Sequence, residues 1–324
     1  MQHGGYHNLN LAMQKFSPLF DNHHSAVFHI ADALAGLIDP GDEVLILAPY
    51  WVTYPAQVEL LGGVAKFLGA TDSTGFKVGP EELRAALGPK TRCVIFNNPC
   101  NPTGAYYNPA EVRAFTEVCM DAGVPILSDE VYDAIVYTEG HYLSPAAVSA
   151  EAAAQTVVLN SLSKTYAMPG WRIGYLAGPL DWMKKVAAFQ GQITHHPSSL
   201  AQAAIAAAYD GDQECVEVMR RAFRQRRDFL LETVPHIPGF EVAVAPQGAF
   251  YLFPRITRLI EALPEGGGSA EACSWLLDQA KVALVPGAAF GAEGFLRISY
   301  AASMEDLKKA VERLGEVTAA LGID

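Results

Sequence analysis

The chain has 324 residues, half of them hydrophobic, which is enough to bury a large core and favours about two domains. Its formal net charge of −12 argues against a nucleic-acid-binding surface, because such a surface needs a basic face to displace counterions from phosphates. This composition indicates a folded globular protein rather than a disordered or fibrous one.

The sequence gives no sign of a membrane or secreted protein. No apolar run reaches the length of a transmembrane helix, and the start lacks the basic-then-apolar order of a signal peptide. The five cysteines are scattered and never form a C-x-x-C pair, which indicates reduced thiols rather than disulfides or a zinc site. We therefore expect a cytoplasmic protein without a bound metal.

The first part of the chain predicts a helix and then a buried strand. Small and apolar residues recur at helical spacing over residues 25–38, and a D-P-G-D turn follows. Residues 44–47 are apolar without interruption, as in a strand covered on both faces. Trp51 lies just past this strand, where its ring either plugs the core or faces a ring ligand; the pattern alone favours the plug.

Three further strands are predicted, at residues 93–96, 125–128 and 156–159. Between the first two, N-P-A-E starting at Asn108 supplies an N-cap, a proline at the first helical position and a glutamate that can reach back to the cap. Strands that alternate with helices indicate an α/β fold: a large domain with a mainly parallel, doubly wound sheet flanked by helices.

Polar and aromatic residues follow four of these strands directly. Trp51 follows the first, the segment 97–104 the second, Asp129 and Tyr132 the third, and the segment 161–164 the fourth. Ligands of such sheets bind beyond the carboxyl ends of the strands. The convergence of four segments therefore predicts a ligand site at this edge.

The last third of the chain has a different pattern. It is alanine-rich and helical from residue 198, and it changes to short strands and Pro-Gly turns after Pro235. We predict a short N-terminal segment (1–21), a large domain that includes a long connecting helix (22–234) and a smaller C-terminal α+β domain (235–324).

Five arginines lie between residues 220 and 227 of the predicted connecting helix. Glu214, Glu217 and Asp228 are close enough in sequence to pair with them on a helix. Their presence favours a salt-bridged, solvated helix face over a nucleic-acid patch.

The stretch from residue 160 to 178 reads N-S-L-S-K-T-Y-A-M-P-G-W-R-I-G-Y-L-A-G. The amine of Lys164 could form a Schiff base with an aldehyde, and the neighbouring hydroxyls and Arg172 could bind a phosphate. A single lysine in such a context is more often a solvated surface charge. The stretch by itself therefore does not predict a Schiff-base site, and the interpretation depends on the other segments at the sheet edge.

Five segments form a distinctive combination in this order. They are D-P-G-D-E-V-L-I-L-A-P-Y-W-V-T-Y-P (39–55), N-N-P-C-N-P-T-G (97–104), S-D-E-V-Y (128–132), S-L-S-K-T-Y-A-M-P-G-W-R-I-G-Y (161–175) and L-R-I-S-Y-A (296–301). Together they resemble the fold-type I, class I/II aminotransferases that depend on pyridoxal 5′-phosphate (PLP). The first segment resembles the aspartate aminotransferase branch.

The resemblance implies roles around the PLP ring. Lys164 resembles the lysine that forms the Schiff base and later moves a proton at the substrate Cα. Asp129 resembles the carboxylate that keeps the pyridine nitrogen protonated, and Tyr132 and Asn101 match the donors to the phenolic oxygen. Trp51 matches the residue stacked on the ring, which reverses the preference for a plug. Asn101 and Trp51 are also expected to contact the substrate.

The remaining matches concern anionic groups. Ser161 and Arg172 are the stronger candidates for the cofactor phosphate, and Ser163 is a third. Arg297 resembles the arginine that binds the substrate α-carboxylate, for which a planar guanidinium suits bidentate contact.

The N-terminal part departs from the family pattern. Family members carry a longer N-terminal region, whereas about twenty residues precede the first helix here. The glycine-rich phosphate loop should fall at residues 23–28, where H-H-S-A-V-F retains Ser25 and Ala26 but no glycine. We expect these two residues to contribute to phosphate binding. The resemblance also implies a homodimer with active sites at the interface.

These features predict a PLP-dependent transaminase of amino acid metabolism that moves an amino group between an amino acid and a 2-oxo acid. A lyase, decarboxylase or racemase of the same fold is an alternative, because the bond broken at Cα depends on its orientation to the ring. A catalytically impaired PLP-binding or regulatory homologue is another. Taken singly, Asp129 or Arg297 could be salt-bridge members, Tyr132 a core aromatic and Asn101 a turn residue.

Overall fold

A computed structural model describes residues 26–323, which form two β-sheets surrounded by helices. The strands are β1 (Glu43–Ala48), β2 (Val64–Gly69), β3 (Thr91–Asn97), β4 (Ile126–Asp129), β5 (Thr156–Ser161), β6 (Gly174–Ala177), β7 (Tyr251–Leu252), β8 (Val285–Pro286) and β9 (Leu296–Ser299). The α-helices are α1 (Ala26–Ala35), α2 (Thr53–Leu60), α3 (Pro80–Ala86), α4 (Pro109–Asp121), α5 (Ala150–Ala153), α6 (Leu162–Thr165), α7 (Leu180–Ile193), α8 (Ser199–Asp210), α9 (Glu214–Thr233), α10 (Thr257–Ala262), α11 (Ser269–Ala280) and α12 (Met304–Ala319). Within this part of the chain, no helix combines the length and apolar character that a membrane span requires. The predicted N-terminal segment 1–21 lies outside the described residues.

The large sheet has the strand order β2-β1-β3-β4-β5-β6. Strands β1 to β5 are parallel to one another, and β6 runs antiparallel to β5, with Gly174 opposite Ser161. This arrangement confirms the predicted α/β fold with a mainly parallel sheet. The four predicted strands are present, and their ends agree with the observed ones to within two residues.

Helices cover both faces of the large sheet, which explains the unbroken apolar strands. Leu45 packs in one cluster with Phe115 of α4, whereas its neighbour Ile46 packs in another cluster with Ile30 of α1. Successive strand residues point to opposite faces, so both must be apolar when both faces are buried.

The small sheet has the order β7-β9-β8 and is antiparallel. Helix α12 packs against α11 and α9 and buries Leu307 and Leu314 in the main core. The smaller C-terminal α+β unit that the sequence predicted therefore has a sheet of its own.

Three of the five arginines of α9 (Arg220, Arg221 and Arg227) pair with acidic residues, as predicted. Arg221 lies 2.7 Å from Glu214, and Arg220 lies 2.8 Å from Glu217 on the same helix. Such exposed pairs contribute little to stability, at most about 1 kcal/mol each.

The loop after β3 is fastened to the C-terminal part of the chain at Gly104. Its carbonyl oxygen accepts hydrogen bonds from the amides of Gln247 and Gly248, at 2.8 and 3.0 Å. Gly104 has a φ of +67°, and a Cβ atom there would lie 2.4 Å from Cβ of Pro246. Only glycine fits this close approach without strain.

Candidate active site

A cavity of about 290 Å³ lies at the carboxyl edge of the large sheet. Nine of the eleven predicted site residues line it: Trp51, Asn101, Asp129, Tyr132, Ser161, Ser163, Lys164, Arg172 and Arg297. Ser25 lies outside the described residues, and Ala26 begins α1; the expected contribution of both to phosphate binding stays a prediction. The convergence of distant segments at this edge is therefore observed.

Asp129 ends β4 and is 5% exposed. Its Oδ2 accepts a hydrogen bond from the Tyr54 hydroxyl at 2.6 Å, and its Oδ1 accepts one from the Val131 amide at 3.3 Å. Burial raises the pKa of this carboxyl to about 6, although both hydrogen bonds and the nearby Lys164 charge oppose the rise. A carboxylate has about four acceptor positions, so Asp129 can accept a further N–H from a ligand.

Tyr54 is a cavity residue that the sequence did not reveal. It lies in α2 and is 2% exposed, and burial, followed by the negative charge of Asp129, raises its pKa well above the usual value. The phenol therefore stays protonated and acts as a donor to Asp129. Its spacing of three residues from Trp51, whose ring it meets edge-on at 5.4 Å, was the one available signal.

Asn97 was also missed, although it belongs to the N-N-P-C-N-P-T-G segment. Its Nδ2 donates to the Asp129 carbonyl at 3.0 Å, and its Oδ1 accepts from the Asn101 amide at 2.8 Å. Asn97 thus ties the loop after β3 to the end of β4 and places Asn101 at the cavity.

Lys164 lies in the single-turn helix α6, which Ser161 caps by accepting a hydrogen bond from the Ser163 amide at 3.1 Å. Burial lowers the pKa of Lys164, and the charges of Arg297 and Arg172 act in the same direction, whereas Asp129 opposes them. Its ammonium group makes no hydrogen bond to another residue between 26 and 323. A half-buried lysine with a lowered pKa is an amine suited to nucleophilic and proton-transfer chemistry.

The strand end before Lys164 is held by Asp133. Asn160 donates through Nδ2 to Oδ2 of Asp133 at 3.0 Å, and its Oδ1 accepts from the Ser161 amide at 2.7 Å. Asp129 at the end of β4 thus serves the cavity, and Asp133 in the turn that follows holds the segment that carries Lys164.

Arg297 projects from β9 on the opposite wall. One of its terminal nitrogens donates to Oδ1 of Asn101 at 2.7 Å, and its guanidinium carbon lies 4.6 and 4.9 Å from the ring centroids of Tyr251 and Phe290. Its Nε is buried and has no hydrogen-bond partner among the described residues. A guanidinium held between two rings, with donors unused, fits a planar carboxylate.

Arg172 and the two serines lie on the remaining side. Arg172 is exposed, has a left-handed φ of 52° and donates to the Pro169 carbonyl at 2.7 Å, which leaves further N–H groups for an anion. The pairing of β5 with β6 brings this arginine close to Ser161. Hydroxyl and guanidinium donors of this kind suit a phosphate.

The charges of the lining favour an anionic ligand. Lys164, Arg172 and Arg297 are cationic, and Asp129 is the one carboxylate among the lining residues. A ligand with a phosphate, a carboxylate and a basic ring nitrogen would meet complementary groups on each side.

Known proteins share both the sequence and the fold. Residues 26–314 match the family described as aminotransferase class I and II. The chain is 48% identical over 278 residues to an aspartate aminotransferase of Geobacillus stearothermophilus. The aligned region covers 86% of this chain and 70% of that protein.

Solved structures agree. An aspartate aminotransferase from Rhizobium meliloti superposes with a TM-score of 0.88 at 35% identity, covering 98% of this chain and 81% of the other. An aromatic aminotransferase from Pyrococcus horikoshii OT3 gives a TM-score of 0.87 at 30% identity, with 98% and 86% coverage.

The chain belongs to the class I and II aminotransferases. It is a transaminase, as the sequence predicted. Within the family its fold and sequence are aspartate aminotransferase-like.

Proposed function

We propose that this transaminase uses PLP, held covalently by the Lys164 amine. When bound, PLP supplies an aldehyde and an electron-withdrawing ring that stabilises negative charge at the substrate Cα. The buried acceptor Asp129 supports this proposal most directly. A buried carboxylate with acceptor capacity left, at the base of a cavity lined by three cations, matches a protonated ring nitrogen in a molecule that also bears a phosphate.

The other lining residues have complementary parts in this proposal. Ser161, Ser163 and Arg172 bind the phosphate. Trp51 offers the flat face of its ring, and Tyr132 and Asn101 donate hydrogen bonds to the phenolic oxygen. The amine of Lys164, whose pKa burial lowers, also carries the proton to and from the substrate Cα.

Arg297 binds the α-carboxylate that an amino acid and a 2-oxo acid share. Asn101 holds one side of the guanidinium in place, and the buried Nε marks donor capacity that the described residues leave unused. We propose aspartate as the amino donor because the relatives at 48% and 41% identity are named aspartate aminotransferases.

A second copy of the chain covers helix α8 in our proposal. Ala201 packs α8 against Leu162 and Ile173, next to Lys164, while Leu200 on the same helix is 77% exposed and Ala206 is also exposed. An apolar helix so exposed favours a homodimer whose interface lies near the active sites. We also propose the cytoplasmic location that the scattered, unpaired cysteines indicate.

The division into domains remains part of this proposal. Residues 22–234 would form the large, PLP-binding domain, and residues 235–324 the small one. The separate sheets support this division, although both contribute to one continuous core.

Borohydride trapping tests the cofactor. Wild-type protein incubated with PLP should acquire visible absorbance, and after borohydride reduction a PLP mass should appear on the peptide that contains Lys164. Lys164→Ala should acquire neither. Wild-type protein without the added mass would contradict the proposal.

Product analysis tests the reaction and the donor. With aspartate and a 2-oxo acid, the protein should form the amino acid that corresponds to the oxo acid. Formation of alanine and carbon dioxide from aspartate, with the 2-oxo acid left unconsumed, would instead point to a lyase that removes the β-carboxylate.

A further inference from the structure

Tyr251 contacts both Tyr132 and Arg297, two cavity residues with separate roles in the proposed function. It begins β7, is 5% exposed and lines the cavity. Its hydroxyl lies 2.7 Å from that of Tyr132, and the two rings meet at 82°. Its ring centroid also lies 4.6 Å from the guanidinium carbon of Arg297.

The two hydroxyls can share only one hydrogen bond. Each carries a single proton, so one phenol donates and the other accepts. Between residues 26 and 323, neither hydroxyl has another hydrogen bond. If Tyr251 donates, the hydroxyl proton of Tyr132 is available to a ligand in the cavity. If Tyr132 donates, its proton is bonded to Tyr251 and is not available to a ligand.

The surroundings favour Tyr251 as the donor. Burial raises the pKa of both phenols and the Arg297 charge lowers both, but the guanidinium carbon lies beside the Tyr251 ring, 4.6 Å from its centroid. For Tyr132, the pair with Tyr251 adds to the rise. A positive charge beside its ring makes a phenol a better donor, so the position of Arg297 supports the direction from Tyr251 to Tyr132.

We propose that Tyr251 is a positioning residue that connects Arg297 to Tyr132: its hydroxyl donates to Tyr132 and aims the Tyr132 proton into the cavity, while its ring supports the guanidinium. The inference rests on the proposed binding of PLP, whose phenolic oxygen would receive that proton. Tyr251 thereby acts on the cofactor through Tyr132 and on the substrate through Arg297.

Two substitutions separate these two effects. Tyr251→Phe removes the hydroxyl but keeps the ring beneath Arg297, whereas Tyr251→Leu removes both. Tyr209→Phe is a matched control, because it removes a hydroxyl from another tyrosine pair, 3.4 Å from Tyr175 and outside the cavity lining.

The first measurement is the pH dependence of the visible absorbance of the PLP-loaded protein. The midpoint of this change is called the absorbance pKa. A hydrogen bond to the phenolic oxygen stabilises its negative charge and so lowers this pKa, and a donor behind Tyr132 strengthens that bond. Tyr251→Phe should therefore raise the absorbance pKa by about 0.1–0.6 pH unit, the share that cooperativity adds to a charge-assisted hydrogen bond. In a Tyr132→Phe background the same change should have no effect, and Tyr209→Phe should match the wild type.

The direction of this shift in the absorbance pKa shows which of the two tyrosines donates the shared hydrogen bond. A lowered pKa in Tyr251→Phe would mean that Tyr132 had been the donor, and an unchanged pKa would mean that the pair does not act on the cofactor; either result overturns the inference while PLP uptake stays normal. Wild-type protein that takes up no PLP would overturn the proposed function and this inference with it.

The second measurement is the affinity of the PLP-loaded protein for succinate, followed by absorbance. Tyr251→Phe should keep the wild-type dissociation constant because its ring remains beneath Arg297. Tyr251→Leu should weaken binding about three- to tenfold, the range of a partly desolvated cation–π contact. Equal affinity in all three proteins would contradict the supporting role of the ring.

Discussion

The hydroxyl of Tyr54 lies 2.6 Å from Oδ2 of Asp129, and both side chains are almost completely buried. The phenol is a neutral donor with a strongly raised pKa, so it stabilises the charged form of the carboxyl without adding a competing charge. The state of Asp129 near neutral pH therefore depends on a residue 75 positions earlier in the chain.

Tyr54→Phe should raise the pKa of Asp129 above its present value of about 6, because burial remains while the strongest hydrogen bond is lost. We expect kcat/KM at pH 7 to fall about tenfold, and the loss to shrink at higher pH where Asp129 ionises again. The pH profile of kcat/KM measures this change, with Tyr209→Phe as the control. A loss of equal size at every pH would contradict the electrostatic role.

Arg297→Lys should weaken substrate binding without affecting PLP uptake. Lysine keeps the charge but loses the planar pair of donors and the ring contacts with Tyr251 and Phe290. We expect kcat/KM for aspartate to fall about ten- to a hundredfold. Steady-state kinetics and PLP titration of the same preparation measure the two effects, and loss of PLP uptake would show that Arg297 has a different role.

Asp133→Asn should loosen the segment that carries Lys164. An asparagine at this position can turn its NH2 group toward the donor Nδ2 of Asn160, and even its oxygen is a weaker acceptor than a carboxylate. We expect the Kd for PLP to rise about tenfold. Asp121→Asn, which alters an exposed pair with Arg84, is the control and should bind PLP like the wild type.

Glu130 makes the stability of the apoprotein depend on pH. Its carboxyl is fully buried, and burial raises its pKa from 4.5 to about 8, against the opposing hydrogen bonds from Ser144 and Ser128. The folded state thus holds a proton that the unfolded state has released, so stability is full below pH 4.5 and falls as the pH rises toward 8. Between pH 5.5 and 8.5 this group should cost about 3 kcal/mol of unfolding free energy.

Urea unfolding of the PLP-free protein at these two pH values measures the effect. Glu130→Gln keeps an acceptor for Ser144 and Ser128 and has no proton to release as the pH rises. The variant should therefore lose less stability than the wild type over the same range. Parallel losses in both proteins would rule out Glu130 as the source.

Gly104→Ala should destabilise the protein more than Gly123→Ala. Both glycines have a left-handed backbone, with φ of +67° and +64°, but an added Cβ meets Pro246 at Gly104 and open space at Gly123. Gly123→Ala should cost about 1–2 kcal/mol from the backbone alone, and Gly104→Ala about 1–3 kcal/mol more from the clash. Equal unfolding free energies in urea would contradict the close approach seen here.

Features that depend on neighbours in sequence were predictable. The unbroken apolar runs predicted buried strands, and Asn108 caps α4 by accepting from the amides of Ala110 and Glu111, while Glu111 returns a bond to the Asn108 amide. The cap forms because all its atoms lie within one helical turn. The strand ends likewise placed seven of the site residues at one edge, and the family resemblance added Arg172 and Arg297.

Roles that arise only from tertiary contact were not predictable. Tyr54 and Tyr251 acquire partners 75 and 119 residues away. Nothing near Tyr251 in the sequence distinguishes it from a core aromatic, and for Tyr54 the spacing from Trp51 was the one signal. Asn97 lay within a recognised segment, but its two hydrogen bonds depend on β4 lying beside β3.

The close spacing of Asp129, at the end of β4, and Asp133, in the turn that follows, limits where this chain can be lengthened. A residue inserted between them would shift one carboxylate relative to the other. Asp129 in the cavity and the Lys164 segment held by Asp133 would then no longer be correctly placed relative to each other. The turn at residues 139–141 differs, since it is exposed and Gly140 has open space around it. A peptide tag placed after Gly140 would leave the spacing between the two aspartates unchanged, which makes that turn the better position for labelling the protein.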